Sequence, residues 1–181
     1  MVCRGDGQSI HSLKLLLEIE EKYPVSIEVI EIGDKPICKE LVTRKELKYT
    51  YYPASLQSYT YYRLSIAEAV SNRPEAFIVM PDTLEDLAAY VLNEVLLGKL
   101  QGLLLDAKYR TAYPQSHISI KAIAALGYQP SKPPSEVWSL LSRLERSTPT
   151  ILYSTVKTLS TLTLKIREKY KTLQTQNNNA P

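Results

Sequence analysis

Residues 4–9 read Arg-Gly-Asp-Gly-Gln-Ser and run straight into an apolar pattern at Ile10, Leu13, Leu16 and Leu17. Glycines permit close backbone approach, and the free N–H groups at a helix start attract anions, so such a turn suits phosphate binding. Two residues argue against that chemistry. Asp6 sets negative charge where phosphate would lie, and Gln8 offers an amide where a metal or phosphate site needs a carboxylate. A turn that only joins a strand to a helix accounts for Arg4, Gly5, Asp6, Gly7, Gln8 and Ser9 with fewer demands and carries the greater weight.

A second chemical feature is aromatic. The chain has 13 Tyr against one Phe and one Trp, and six of the tyrosines fall between Tyr49 and Tyr62, near Lys45, Lys48 and Arg63. Tyrosine rings can stack on unpaired bases while cations meet phosphates, which makes Lys48, Tyr59, Tyr61, Tyr62 and Arg63 candidates for RNA or partner contact. Packing or a protein partner is the better-weighted use of the cluster, since Tyr is enriched at interfaces. His11 and His117 have no cysteine or histidine neighbours in sequence, so core or surface roles are expected and no metal set is identified. Cys3 and Cys38 cannot by themselves make a disulfide framework or a four-ligand zinc site, and Cys38 is expected to be a structural thiol.

These residues need a folded scaffold, and 181 residues supply one domain with a core. Apolar residues are 44% and charged ones 23%, the ordinary globular range. The net charge of +3 permits an acidic partner without requiring one. No apolar run approaches the roughly 20 residues of a membrane helix, and no basic-then-apolar leader precedes the turn. With so few cysteines, a reducing, cytoplasmic setting and no membrane association are expected. The domain is expected over 1–165, with a helix end and polar tail over 166–181.

Periodicity predicts a helix from Ser9 to about Lys22, ended by Pro24, and a period-two strand in "VSIEVIEIG" stopping at Gly33. Residues 34–61 predict a long loop with a short helix. Beyond them come a helix in "YRLSIAEAV", a short buried strand in "EAFIVM" and a long helix capped by Thr83 and Asp86. "GLLLDA" predicts a strand, and "SHISIKAIAALG" a strand edge or a helix closed by Gly127. Two helices complete the chain, the first with Val137, Leu140, Leu141 and Leu144 on one face. Only "MVC" precedes the turn, which leaves little room for a first strand. Alternating strands and helices predict a mostly parallel sheet covered on both faces, with ligands outside the carboxyl ends of its strands.

In order and spacing, the turn opening a helix, "YYRLSIAEAV", "PDTLEDLAAYVLNEVLLGKL" and "SEVWSLLSRLERSTPTILYSTVKTLSTL" resemble the PP-loop ATP pyrophosphatases that thiolate tRNA. Asp86, Val91, Leu92 and Gly98 match one family segment, and Leu141, Leu144, Glu145, Pro149, Ser154 and Leu159 match a later one. The resemblance implies a three-layer α/β sandwich with a mostly parallel, roughly five-stranded sheet. It also implies a nucleotide site on residues 4–9 with Asp86. The family loop reads SGGxDS, of which "RGDGQS" keeps the first glycine and the final serine. The family's CxxC falls on Ser55 and Ser58, its third cysteine near residues 129–134, and its His-Asn pair on Asp82 and Thr83. Serine hydroxyls do not replace cluster thiolates, so the resemblance implies no iron–sulfur cluster and no catalytic residue. ATP and Mg²⁺ are expected only if the altered loop still binds them. The implied function is a non-catalytic subunit or accessory factor in tRNA modification, partnered by a catalytic paralogue or a second copy, with tRNA a further ligand. Two alternatives stand beside it. One is an ATP-dependent tRNA-modifying enzyme in which Asp6 and Asp86 hold Mg²⁺ and Gly5, Gly7 and Ser9 hold phosphate; the other is an RNA-binding module using residues 49–63.

Overall fold

A computed structural model describes residues 1–54, 58–98, 101–131, 137–148 and 150–178. Along the chain these form β1 (Val2–Cys3), α1 (Gly7–Glu20), β2 (Glu28–Gly33), α2 (Lys39–Arg44), β3 (Lys48–Pro53), α3 (Tyr59–Ala69) and β4 (Phe77–Val79). They continue with α4 (Leu84–Leu97), α5 (Leu103–Lys108), β5 (Arg110–Ala112), α6 (Ile120–Ala125), α7 (Val137–Ser147) and α8 (Ile151–Asn178).

All strand pairs are parallel, as the alternation of elements predicts, but the strands form two ladders rather than one five-stranded sheet. One has the order β1-β2-β3 and the other pairs β4 with β5. Strand length explains part of the difference: β1 has 2 residues and β4 has 3, so each offers few ladder hydrogen bonds. Side chains still bridge the ladders, because Val2 of β1 shares a core cluster with Ile78 and with Met80 just beyond β4.

Alternation along β1 and β2 sorts the layers. Val2, Ile30 and Ile32 pack with Ile66 of α3 and its C-cap Val70, whereas Cys3 and Val29 pack with Leu13 of α1 and Val42 of α2. With helices on both faces, Val29 through Gly33 are all buried. The expected polar face of "VSIEVIEIG" is therefore absent, and Glu31 lies in the core at 0% exposure.

Helix α4 is the spine of the other half. Its Thr83 N-cap and Asp86 complete a capping box, and Gly98 closes it in the left-handed region at φ 62°. Leu84, Leu87, Ala88 and Val91 pack with Leu141 of α7 and with Leu152 and Leu159 of α8. Arg167 fastens α8 to the end of α5 by donating to the carbonyls of Asp106 at 2.7 Å, Ala107 at 3.1 Å and Tyr109 at 3.0 Å.

Three further expectations are corrected, and one of two open readings, the helix in "SHISIKAIAALG", is the one that forms. "GLLLDA" is helical as α5: Leu103 and Asp106, three residues apart, are both buried, the spacing of one helix face, and Leu105 is buried beside them. "SHISIKAIAALG" is a helix, α6, capped by Ser119 and followed by Gly127 at φ 84°. The expected long loop over 34–61 contains a strand, β3, in the first tyrosine cluster; β-favouring Tyr and Thr pair along the length of β2. Finally, α8 stays helical to Asn178, through much of the expected polar tail.

Candidate functional site

The carboxyl ends of β1 and β4 release Arg4 and Asp82 toward each other, at the point where helices leave the sheet on opposite faces. Such a crevice is where open α/β sheets bind ligands. Asp6 caps α1: its Oδ1 accepts the Ser9 N–H at 2.9 Å and the Ser9 hydroxyl at 2.6 Å, while the Arg4 N–H donates to Ser9 Oγ at 2.8 Å. Gly5 bends the chain at φ 73°. The turn is thus built as expected, and its glycines and serine serve its shape.

Its donors face acceptors from the same chain. The Gly7 N–H donates to the Gln129 carbonyl at 2.8 Å, and a Cβ on Gly7 would lie 2.5 Å from that oxygen. The glycine is needed because the 129–131 segment sits directly on the helix start. Gln8 fixes that segment further, with Nε2 donating to the Ser131 carbonyl at 2.7 Å and Oε1 accepting the Ser131 N–H at 3.1 Å. The Ser131 hydroxyl donates to Asp6 Oδ2 at 2.9 Å, and Gln115 Nε2 donates to the Gln8 carbonyl at 2.8 Å. Gln8, expected only as a lost carboxylate, is a two-point clamp.

The crevice itself holds a charge network. Arg4 reaches Asp82 at 3.2 Å and Asp86 at 3.1 Å; its Nε lies 2.9 Å from Asp6 Oδ2 without hydrogen-bond alignment. Arg63 joins Asp82 at 3.2 Å to Asp106 at 3.4 Å, and its guanidinium lies 4.1 Å from the Tyr90 ring centre. Tyr59 donates to Asp86 at 3.1 Å, and Tyr113 donates to Asp106. Burial opposes the Arg4 cation, yet Asp6, Asp86 and Asp82 outweigh it and hold it protonated far above the usual guanidinium value. Burial also pushes the Asp82 carboxyl up, against the pull of Arg63 and Arg4.

Five residues expected at an RNA or partner surface part company here. Tyr59, Tyr62 and Arg63 are 1%, 3% and 0% exposed, so packing withdraws them from any such surface. Helical spacing explains this: Tyr59, Tyr62, Arg63 and Ile66 share the inward face of α3, leaving Tyr61 outside. Tyr61 and Lys48 remain at the surface. His11 meets the Tyr128 ring edge-on and His117 stacks on Tyr153.

Asp82, Asp106, Gln115, Gln129 and Ser131 were not picked out as partners of the turn. Only Asp82 and Asp86, four residues apart at a capping box, carried a local signal. The others arrive from distant sequence. Cys3 and Cys38, expected to act singly, are bonded to each other across 35 residues. Of the serines standing at the family's CxxC, Ser55 lies outside the described residues. Ser58 is the α3 N-cap, its Oγ accepting the Tyr61 N–H at 3.2 Å. These residues do not fit an iron–sulfur cluster: Ser58 is committed to its cap, and one cysteine pair elsewhere cannot supply cluster ligation.

Parallel ladders, helices on both faces and a glycine turn opening α1 at the strand ends define an α/β fold of parallel strands. Among solved structures, the chain is similar to the U34-tRNA thiolase NcsA from Methanococcus maripaludis with its 4Fe–4S cluster. The TM-score is 0.66 at 16% identity, covering 90% of this chain and 70% of that one. No family model matches the chain, and no curated protein matches it. Among the described residues, no helix is long and apolar enough to cross a membrane.

Proposed function

We propose that this chain is a non-catalytic relative of tRNA-thiolating PP-loop enzymes, acting as a subunit or accessory factor in tRNA modification. The fold likeness to a tRNA thiolase supports the tRNA connection. The single observation that carries the non-catalytic part is the helix start: the Gly7 N–H and Ser9 N–H, which would hold phosphate, are taken by the Gln129 carbonyl and the Asp6 carboxylate. A nucleotide would have to displace both acceptors and enter beside Asp6, Asp82 and Asp86, where phosphate meets like charge. The partner in this proposal is a catalytic paralogue or a second copy of the chain, with tRNA bound by the assembly.

Calorimetric titration with Mg-ATP tests this. The wild-type chain is expected to give no saturable heat at millimolar nucleotide. Saturable binding would overturn the proposal in favour of an enzyme with rearranged ligands. Replacing Asp6→Gly and Gln8→Asp together restores two family positions and releases the 129–131 clamp. Binding gained only in that variant would tie the loss to these residues.

A further inference from the structure

A second buried cluster lies directly under the turn, and the proposed function does not use it. Cys3 at the end of β1, Glu31 in β2 and Cys38 just ahead of α2 are all buried, with one donor atom from each within 4.8 Å of the others. The two cysteine Cα atoms are 6.9 Å apart. Disulfides usually hold that separation to about 4.4–6.8 Å, so this backbone spacing is at the outer limit for a direct bond. It suits two sulfurs sharing one ion.

Glu31 supplies an independent observation. It is 0% exposed, and among the described residues no Lys, Arg or His pairs with it. Its Oε1 accepts the Ile37 N–H at 2.7 Å and the Cys38 N–H at 2.8 Å, and its Oε2 accepts the Tyr49 hydroxyl at 2.6 Å. Buried carboxylates are usually paired with an opposite charge or coordinate a metal, and the donors around Glu31 are all neutral. The three hydrogen bonds orient the carboxylate, as outer partners of a metal ligand do. The Gly5 N–H donates to Cys3 Sγ at 3.4 Å, the same kind of support for a sulfur carrying negative charge.

We propose that, in the reduced chain, Cys3 Sγ, Cys38 Sγ and the Glu31 carboxylate bind a thiophilic divalent cation of the Zn²⁺ class. Two soft sulfurs and one carboxylate favour Zn²⁺ over Mg²⁺ or Ca²⁺, which prefer all-oxygen sets. Three protein donors fill three tetrahedral positions and leave the fourth to an exogenous donor. The disulfide and the ion are exclusive states of one site. Opening the Cys3–Cys38 bond takes two electrons and two protons from a dithiol reductant, which leaves as its own disulfide. Binding the ion then releases the two thiol protons to solvent and forms two metal–sulfur bonds. Either state ties β1, β2 and the start of α2 together beneath Gly5.

The test uses the full chain, reduced anaerobically with excess reductant removed, titrated with Co²⁺ and then Zn²⁺. The expected result is one Co²⁺ per chain with an intense thiolate-to-cobalt absorption band, displaced by one equivalent of Zn²⁺. The unreduced chain shows neither. Cys38→Ser removes the band, and Glu31→Gln lowers Zn²⁺ affinity by at least roughly 10-fold, since loss of even an outer partner of a ligand costs about 10–100-fold. The spectrum of the wild-type chain is decisive even where a variant fails to fold. Two titratable thiols without a thiolate–cobalt band would overturn the proposal. So would a band that persists in folded Cys38→Ser, or a disulfide that stays closed under reductant.

Discussion

Two groups of buried acids flank the turn at residues 4–9, and they are neutralised differently. In the crevice, Asp6, Asp82, Asp86 and Asp106 share the guanidiniums of Arg4 and Arg63, with Tyr59 and Tyr113 adding hydroxyl donors. On the opposite face of the sheet, Glu31 meets amides, a phenol and two sulfurs. The crevice supplies its own cations, whereas the second site is complete only with a cation from outside. Where a nucleotide would be expected, the chain has closed on itself; where none would be expected, it presents ligands.

The strongest way to break the crevice is to remove one of its cations. Arg63→Met leaves Asp106 without a guanidinium and Asp82 with half its pairing, and is expected to cost about 3–5 kcal/mol in chemical denaturation. A loss below about 1 kcal/mol would mean that the network is not ionised as described. On the Glu31 side, Tyr49→Phe removes the hydroxyl that donates to Oε2. The expected cost is about 1–3 kcal/mol, since a buried acceptor is left short of a partner. The metal site sharpens this contrast: because Tyr49 supports a proposed ligand, bound Zn²⁺ should stabilise Tyr49→Phe less than wild type and so enlarge its penalty, and leave that of Arg63→Met unchanged.

Smaller effects follow at the helix starts. Ser58→Ala removes the α3 cap and is expected to cost about 1 kcal/mol in urea unfolding. Ser58→Cys tests whether this position has kept any metal affinity, and none is expected. At α4, burial raises the Glu85 carboxyl above its ordinary 4.5, although the Ile120 N–H favours the charged form. A raised folded value means that the stabilisation is full below the ordinary range and is lost as pH rises through the folded value. The urea midpoint of wild type should therefore fall more between pH 4 and pH 7 than that of Glu85→Gln. Equal slopes would remove Glu85 from the account.

Much of the scaffold was legible because its signals are local. The Thr83–Asp86 capping box, the apolar stripes of α1 and α7 and the turn ahead of α1 depend on neighbours within a few residues. The fold class followed from the alternation of strands and helices. What escaped depends on distant chain. Glu31 alternates with apolar residues and so reads as solvent-facing, but a parallel strand covered on both faces buries every side chain. Tyr59, Tyr62 and Arg63 sit in a basic, aromatic run that resembles an RNA surface, although helical spacing turns them inward. Nothing near Gly7 in sequence announces that Gln129 will cover it. Cys3 and Cys38, too few for any counting argument, become a site only through the register of β1 on β2 and the return of the chain ahead of α2.

The central claim concerns the amides of Gly7 and Ser9, and NMR observes both directly. On adding Mg-ATP to 5 mM to the uniformly ¹⁵N-labelled chain, the account predicts no shift of either amide resonance, and slow hydrogen exchange at both with or without nucleotide. Saturable shifts at Gly7 and Ser9, with loss of protection from the Gln129 carbonyl, would contradict it.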